Sequence, residues 1–124
     1  MSDLVGTCPQ NFWEEWIAEG DAASTNGTVY PSISGEDWHW FTRHRLVHNI
    51  RNGDRFYVVA HGKLRGWAPV IRVDRSPDGT TFGIVRRGGA VACTIPETIP
   101  GFRGLRIRWW EREDEVPFPD WKTR

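Results

Sequence analysis

The chain has 124 residues, 39% apolar and 26% charged, and its sixteen basic and sixteen acidic side chains leave no net formal charge. That length suits one domain around one core, and no apolar run approaches the ~20 residues that span a bilayer. A membrane partner is therefore not expected, and the N-terminus has neither the basic start nor the hydrophobic stretch of a signal peptide, which points to a cytoplasmic protein.

In chain order, Pro9 suits the first turn of a helix, and Phe12, Trp13, Trp16 and Ile17 then recur at helical spacing with Glu14, Glu15 and Glu19 facing outward. A short amphipathic helix from about Pro9 to Glu19 is predicted, with Gly20 as its stop. Residues 21–35 are rich in Ser, Thr, Gly and Pro and read as a loop, with Thr28 to Tyr30 extended. Strands are predicted over Trp38 to Thr42, Arg55 to Ala60, Leu64 to Val73, Phe82 to Arg86, Ala90 to Ile95 and Leu105 to Glu111. Turns at Asn52-Gly53-Asp54, His61-Gly62, Asp78-Gly79 and Gly88-Gly89 separate most of them. The tail, residues 112–124, carries Phe118 and Trp121 around two prolines and reads as an extended strap. Short connections between neighbouring strands predict antiparallel pairing throughout, so the expected fold is mainly β with a short N-terminal helix (α+β), arranged as a small, partly open antiparallel β-barrel.

Charge is divided unevenly along the chain. Residues 1–42 sum to −7, residues 43–110 to +9 and residues 111–124 to −2. Fourteen of the sixteen bases are arginine, which favours bidentate contacts to phosphate or guanine, although the codon usage of a GC-rich genome also enriches Arg, Gly, Pro, Ala and Trp together. Within the basic segment one pattern occurs twice: Lys63-Leu64-Arg65-Gly66-Trp67 and Arg106-Ile107-Arg108-Trp109-Trp110. On a regular strand this puts Lys63, Arg65 and Trp67, and likewise Arg106, Arg108 and Trp110, on one face, where cations would hold phosphate and indoles would stack on bases. The bland alternative is a solvated outer face over inward Leu64, Leu105 and Ile107.

Other candidates are fewer. Arg86-Arg87-Gly88-Gly89 is a second phosphate contact, and Trp38 and Trp40 are candidate walls of an aromatic cage. His61, at a hairpin tip beside Lys63, is placed to contact phosphate or move a proton. His44 and His48 are four apart but lack a third ligand, and no P-loop, dinucleotide fingerprint or Ser/His/Asp order occurs, so no metal, cofactor or catalytic residue is assigned. Cys8 and Cys93 read as two buried thiols.

The phrase Ile50-Arg51-Asn52-Gly53-Asp54-Arg55-Phe56-Tyr57-Val58-Val59, followed by Gly62-Lys63-Leu64-Arg65-Gly66-Trp67-Ala68-Pro69-Val70, resembles the PUA-like superfamily of PUA, EVE and ASCH domains over roughly residues 38–74. The resemblance implies a single PUA-like domain over residues 1–124 that binds RNA or holds a modified base in an aromatic cage. The Gly-x-Lys-x-x-Glu-x-Arg signature of ASCH-type amidohydrolases and nucleases is absent, since Gly62 and Lys63 are adjacent and no glutamate follows in the strand. The expected function is thus non-catalytic binding of a nucleotide, modified base or nucleic acid, with an ASCH-like hydrolase and a protein-interaction or inhibitor module, such as a phage-encoded one, as alternatives.

Overall fold

The structure, a computed structural model, describes residues 2–21, 37–87 and 91–124, with the backbone alone for residues 18–21. Among these lie β1 (Leu4–Thr7), α1 (Trp13–Asp21), β2 (Asp37–Thr42), β3 (Arg55–Ala60), β4 (Lys63–Arg75), β5 (Phe82–Arg87), β6 (Cys93–Thr94), β7 (Leu105–Ile107) and β8 (Val116–Pro117). The protein is mainly β with one short α-helix. A 3-10 turn, Gln10–Phe12, leads into α1, and another, Arg45–Asn49, follows β2. The loop expected over residues 21–35 and the Gly88-Gly89 turn lie essentially outside the described residues.

Six strands form one sheet in the order β2-β5-β4-β3-β1-β7, and β6 pairs with β8. Uniform antiparallel pairing does not hold, because β1 runs parallel to β3, from Leu4 beside Phe56 to Thr7 beside Val59. Short connections constrain only strands adjacent in sequence, and some fifty residues separate these two. β1 itself was not predicted. It is buried on both faces, so Leu-Val-Gly-Thr shows none of the alternation that marks a half-solvated strand.

Successive side chains of β3 feed two cores. Phe56, Val58 and Ala60 join Leu4, Val70, Ile84 and Trp13 of α1 in the first, whereas Tyr57 and Val59 join Val5, Leu64, Trp67, Cys93 and Trp110 in the second. The sheet curls about the first core. Trp40 of β2 packs on Phe56, with ring centroids 4.9 Å apart, and reaches Gly6 of β1, where a Cβ would lie 2.8 Å from the indole. Three strands separate β2 from β1 in the sheet, so only strong curvature brings them together. The edge strands β2 and β7 do not pair with each other; between them His44 packs against Gly104.

A bulge breaks β4. Val58 pairs with Gly66 and Val59 with Leu64, which leaves Arg65 as the extra residue. Leu64 and Trp67 thereby enter the same core although they are three apart, and the single face expected for Lys63, Arg65 and Trp67 does not exist. Gly66 is required there. Its φ is +153°, and a Cβ would lie 2.4 Å from the Val91 carbonyl oxygen, where Trp67 and Val91 exchange backbone hydrogen bonds of 3.0 and 2.8 Å. Gly66→Ala is expected to lower the unfolding free energy by roughly 2–3 kcal/mol in urea denaturation, and a loss under about 0.5 kcal/mol would contradict this reading.

Both cysteines are buried and form no disulfide, as the sequence suggested. Burial, with the Glu115 carboxylate nearby, pushes the Cys93 thiol well above its ordinary range. No helix among the described residues is long and apolar enough to cross a membrane.

Candidate functional site

The two cation-tryptophan runs do not form a shared surface. Arg65 is 2% exposed, and its guanidinium donates to the carbonyls of Ala60 (2.8 Å), Trp121 (3.0 Å) and Thr123 while lying 5.2 Å from the Trp13 ring. Trp67 is buried beneath Arg55, whose guanidinium carbon stands 3.9 Å from the ring centroid. Trp110 is buried too, and its Nε1 donates to Glu115 at 2.8 Å. Only Lys63 of the first run stays exposed, with its Nζ 5.7 Å from the Phe118 ring.

In the second run the strand ends at Ile107, so alternation does not extend to Trp110. Arg106 is exposed and lies 4.1 Å over Phe102, and Ile107, expected inward, is 46% exposed. Arg108 is engaged by Asp3, which also binds Arg112. Burial alone would raise the Asp3 carboxyl, but the Arg55 N–H and the Arg112 and Arg108 guanidiniums hold it below the usual carboxylate range. Part of the positive charge of the central segment is met within the molecule, by Glu115 on Arg55 and Asp3 on Arg108 in partly buried pairs, and by Asp74 and Asp37 on Arg72 and Asp37 on Arg87 nearer the surface.

The remaining candidates divide. Trp38 is half-buried on β2 beside Arg86 of β5 and lines no described groove. His61 takes φ +49° in the β3–β4 turn and packs edge-on against Trp13 at 5.0 Å, so it is not a freely solvated tip. Trp40 and Arg86 do meet. They face a groove of about 500 Å³ between the start of the helical segment and the β2–β5 edge.

Its walls are aromatic. On the helical side stand Phe12 and Trp16, the latter stacked on Trp13 with centroids 5.3 Å apart; on the sheet side stand Trp40 and Phe41. Phe41 is 71% exposed and stacks on His39 at 5.6 Å and 13°, while His39 Nε2 meets Asp74 at 3.3 Å. Helical periodicity brought Phe12 and Trp16 to one side of their segment, and the alternation of β2 turned Trp40 toward the first core and Phe41 away from it. Arg86 is 3% exposed, with its guanidinium carbon 5.8 Å from the Phe56 ring, and Glu15 stands on the exposed lip. Flat walls, a buried cation and a carboxylate at the rim suit a planar ligand with hydrogen-bond acceptors on one edge. Nothing local in the chain announces that Phe12 and Trp16 join Trp40 and Phe41, because the helical segment and β2 are separate elements.

Fold and groove together define a mainly β protein whose helical segment and sheet edge enclose an aromatic, arginine-based cleft. Compared with protein families, curated proteins and solved structures, the chain matches none of them.

Proposed function

We propose that the protein binds a nucleotide, a modified base or a base within a nucleic acid, and that the base occupies the groove between Trp16 and Trp40. The convergence of Phe12, Trp16, Trp40 and Phe41 over a buried Arg86 in one groove of about 500 Å³ carries this reading. Stacking on the rings is worth about 1–3 kcal/mol per base, and the Arg86 guanidinium brings a positive charge to the groove's lining. The role is one of binding, and no catalytic step is assigned to these residues. The partly open, PUA-like barrel belongs to the same proposal; the curl that carries Trp40 onto Gly6 and the Asn52-Gly53-Asp54 turn that feeds β3 support it.

Titration of the folded protein with nucleosides and mononucleotides, followed by tryptophan fluorescence and calorimetry, tests the reading. Saturable binding is expected, and Phe41→Ala, an exposed position, should weaken it by roughly tenfold. Trp109→Ala, also at an exposed ring, should leave it unchanged. Absence of saturable binding for every base tried would sink the proposal.

A further inference from the structure

A second groove, of about 480 Å³, opens where β4 leaves β3 to pair with β5. A register shift between Val70 and Arg72 makes Ile71 an extra residue, and the Asn52 side-chain amide donates to the Ile71 carbonyl at 3.0 Å, fastening the Asn52-Gly53 turn to the bend. Val73 and Phe82 are part of the apolar lining, and the His48 ring stands edge-on to Phe82 at 5.0 Å.

The rim is cationic. The Arg51 guanidinium donates to the carbonyls of His48 and Ile50, and Arg75 meets no carboxylate among the described residues. The acids around it are each engaged: Asp74 holds Arg72, itself in the lining, at 2.9 Å, Asp54 accepts from the Arg51 and Ser2 backbone N–H groups at 2.8 and 3.1 Å, and Asp78 accepts from Ser76 and Thr80, which depress its pKa to about 2. No carboxylate lines the groove among the described residues. The stretch from Trp38 to Gly53, which includes Arg51 and His48, also carries Arg43, Arg45, His39 and His44 and no Asp or Glu, so this segment is locally cationic despite the neutral total.

We propose that this groove takes a small phosphorylated molecule, with phosphoryl oxygens on Arg51, Arg75 and His48 and its organic part on Val73 and Phe82. The cavity has the size of a small-molecule site, and Arg51, Arg72 and Arg75 share its lining, whereas a nucleic-acid strand needs cations spread along a track. Arginine forks match phosphoryl geometry, and charge-assisted hydrogen bonds of this kind are the stronger ones. The proposal stands apart from the base-binding reading, because the two grooves share no lining residue and this one is probed with a ligand that carries no base.

Calorimetric titration with inorganic tripolyphosphate in about 50 mM salt provides the test. Saturable binding is expected, weakened about tenfold by Arg75→Ala and by Arg51→Ala, which corresponds to about 1.4 kcal/mol each. Arg106→Ala, at a cation over Phe102 and outside this groove, should bind as the parent does, and saturating nucleoside should not compete. Thermal unfolding establishes that each variant is folded, and Arg75→Ala, which breaks no hydrogen bond among the described residues, serves if Arg51→Ala does not fold. Failure of the folded parent to bind tripolyphosphate, an equal loss in Arg106→Ala, or binding of a phosphodiester oligonucleotide alone would overturn the proposal.

Discussion

Arg65→Met is expected to lower the unfolding free energy by about 3–5 kcal/mol, measured by urea denaturation monitored through tryptophan fluorescence. The side chain is 2% exposed and its guanidinium serves three backbone carbonyls, two of them in the C-terminal tail. Hydrogen bonds to a charged group contribute roughly 1.5–3 kcal/mol each, and the tail carbonyls regain water only by detaching. Methionine fills much of the volume and supplies no donor. Because Trp121 packs edge-on against Trp16 at 5.2 Å, loosening the tail should also disturb one wall of the aromatic groove. Arg65→Lys should lose less, since one ammonium can still serve some of the carbonyls. A methionine variant as stable as the parent would show that the tail holds itself in place.

Glu115→Gln is expected to cost about 3–5 kcal/mol, the scale for breaking a buried ion pair from one side. Its carboxylate accepts from Tyr57 Oη at 2.6 Å, Trp110 Nε1 at 2.8 Å and Arg55 Nη1 at 3.1 Å, and the side chain is 8% exposed. An amide of the same shape presents one acceptor where two stood, and its NH2 confronts the donors that the carboxylate satisfied. Burial and the adjacent carboxylate also push the Tyr57 phenol well above its ordinary range, so the tyrosine remains a donor throughout the accessible pH range. The variant should show a shifted emission from Trp110. In a double-mutant cycle with Arg55→Met the pair should couple by more than about 1 kcal/mol; a smaller figure would class it with exposed bridges.

The parts of the fold legible in the sequence are those written in local chemistry. Asn52-Gly53, His61-Gly62 and Asp78-Gly79 each mark a turn, and the strand predicted over Arg55 to Ala60 has the observed bounds. What could not be read depends on distant backbone. The Arg65-Gly66 bulge exists because Val91 passes over Gly66, twenty-five residues later, and a single extra residue reversed the inward and outward positions assumed for Trp67. Trp67 and Trp110, expected to be stacking platforms, are core: Arg55 covers the face of Trp67, and Glu115 accepts from the indole N–H of Trp110. Trp40 and Arg86 were legible as candidates, but their partners Phe12 and Trp16 read only as the apolar stripe of a helix. Composition showed that rings exceeded the needs of a core without showing which ones.

The placement of β1 has a consequence for how the protein is made. Its four residues are made before either of their hydrogen-bond partners, Phe56 to Val59 on one side and Leu105 to Ile107 on the other. Leu4 and Val5 feed opposite cores, so neither core closes until both neighbours have arrived. The nascent chain carries β1 without a partner for about fifty residues of synthesis, until β3 is made, and with one edge still open for about fifty more, until β7 follows. Such long-range pairing slows folding and leaves a sticky edge exposed meanwhile, which makes the N-terminal segment the natural place for a chaperone to hold.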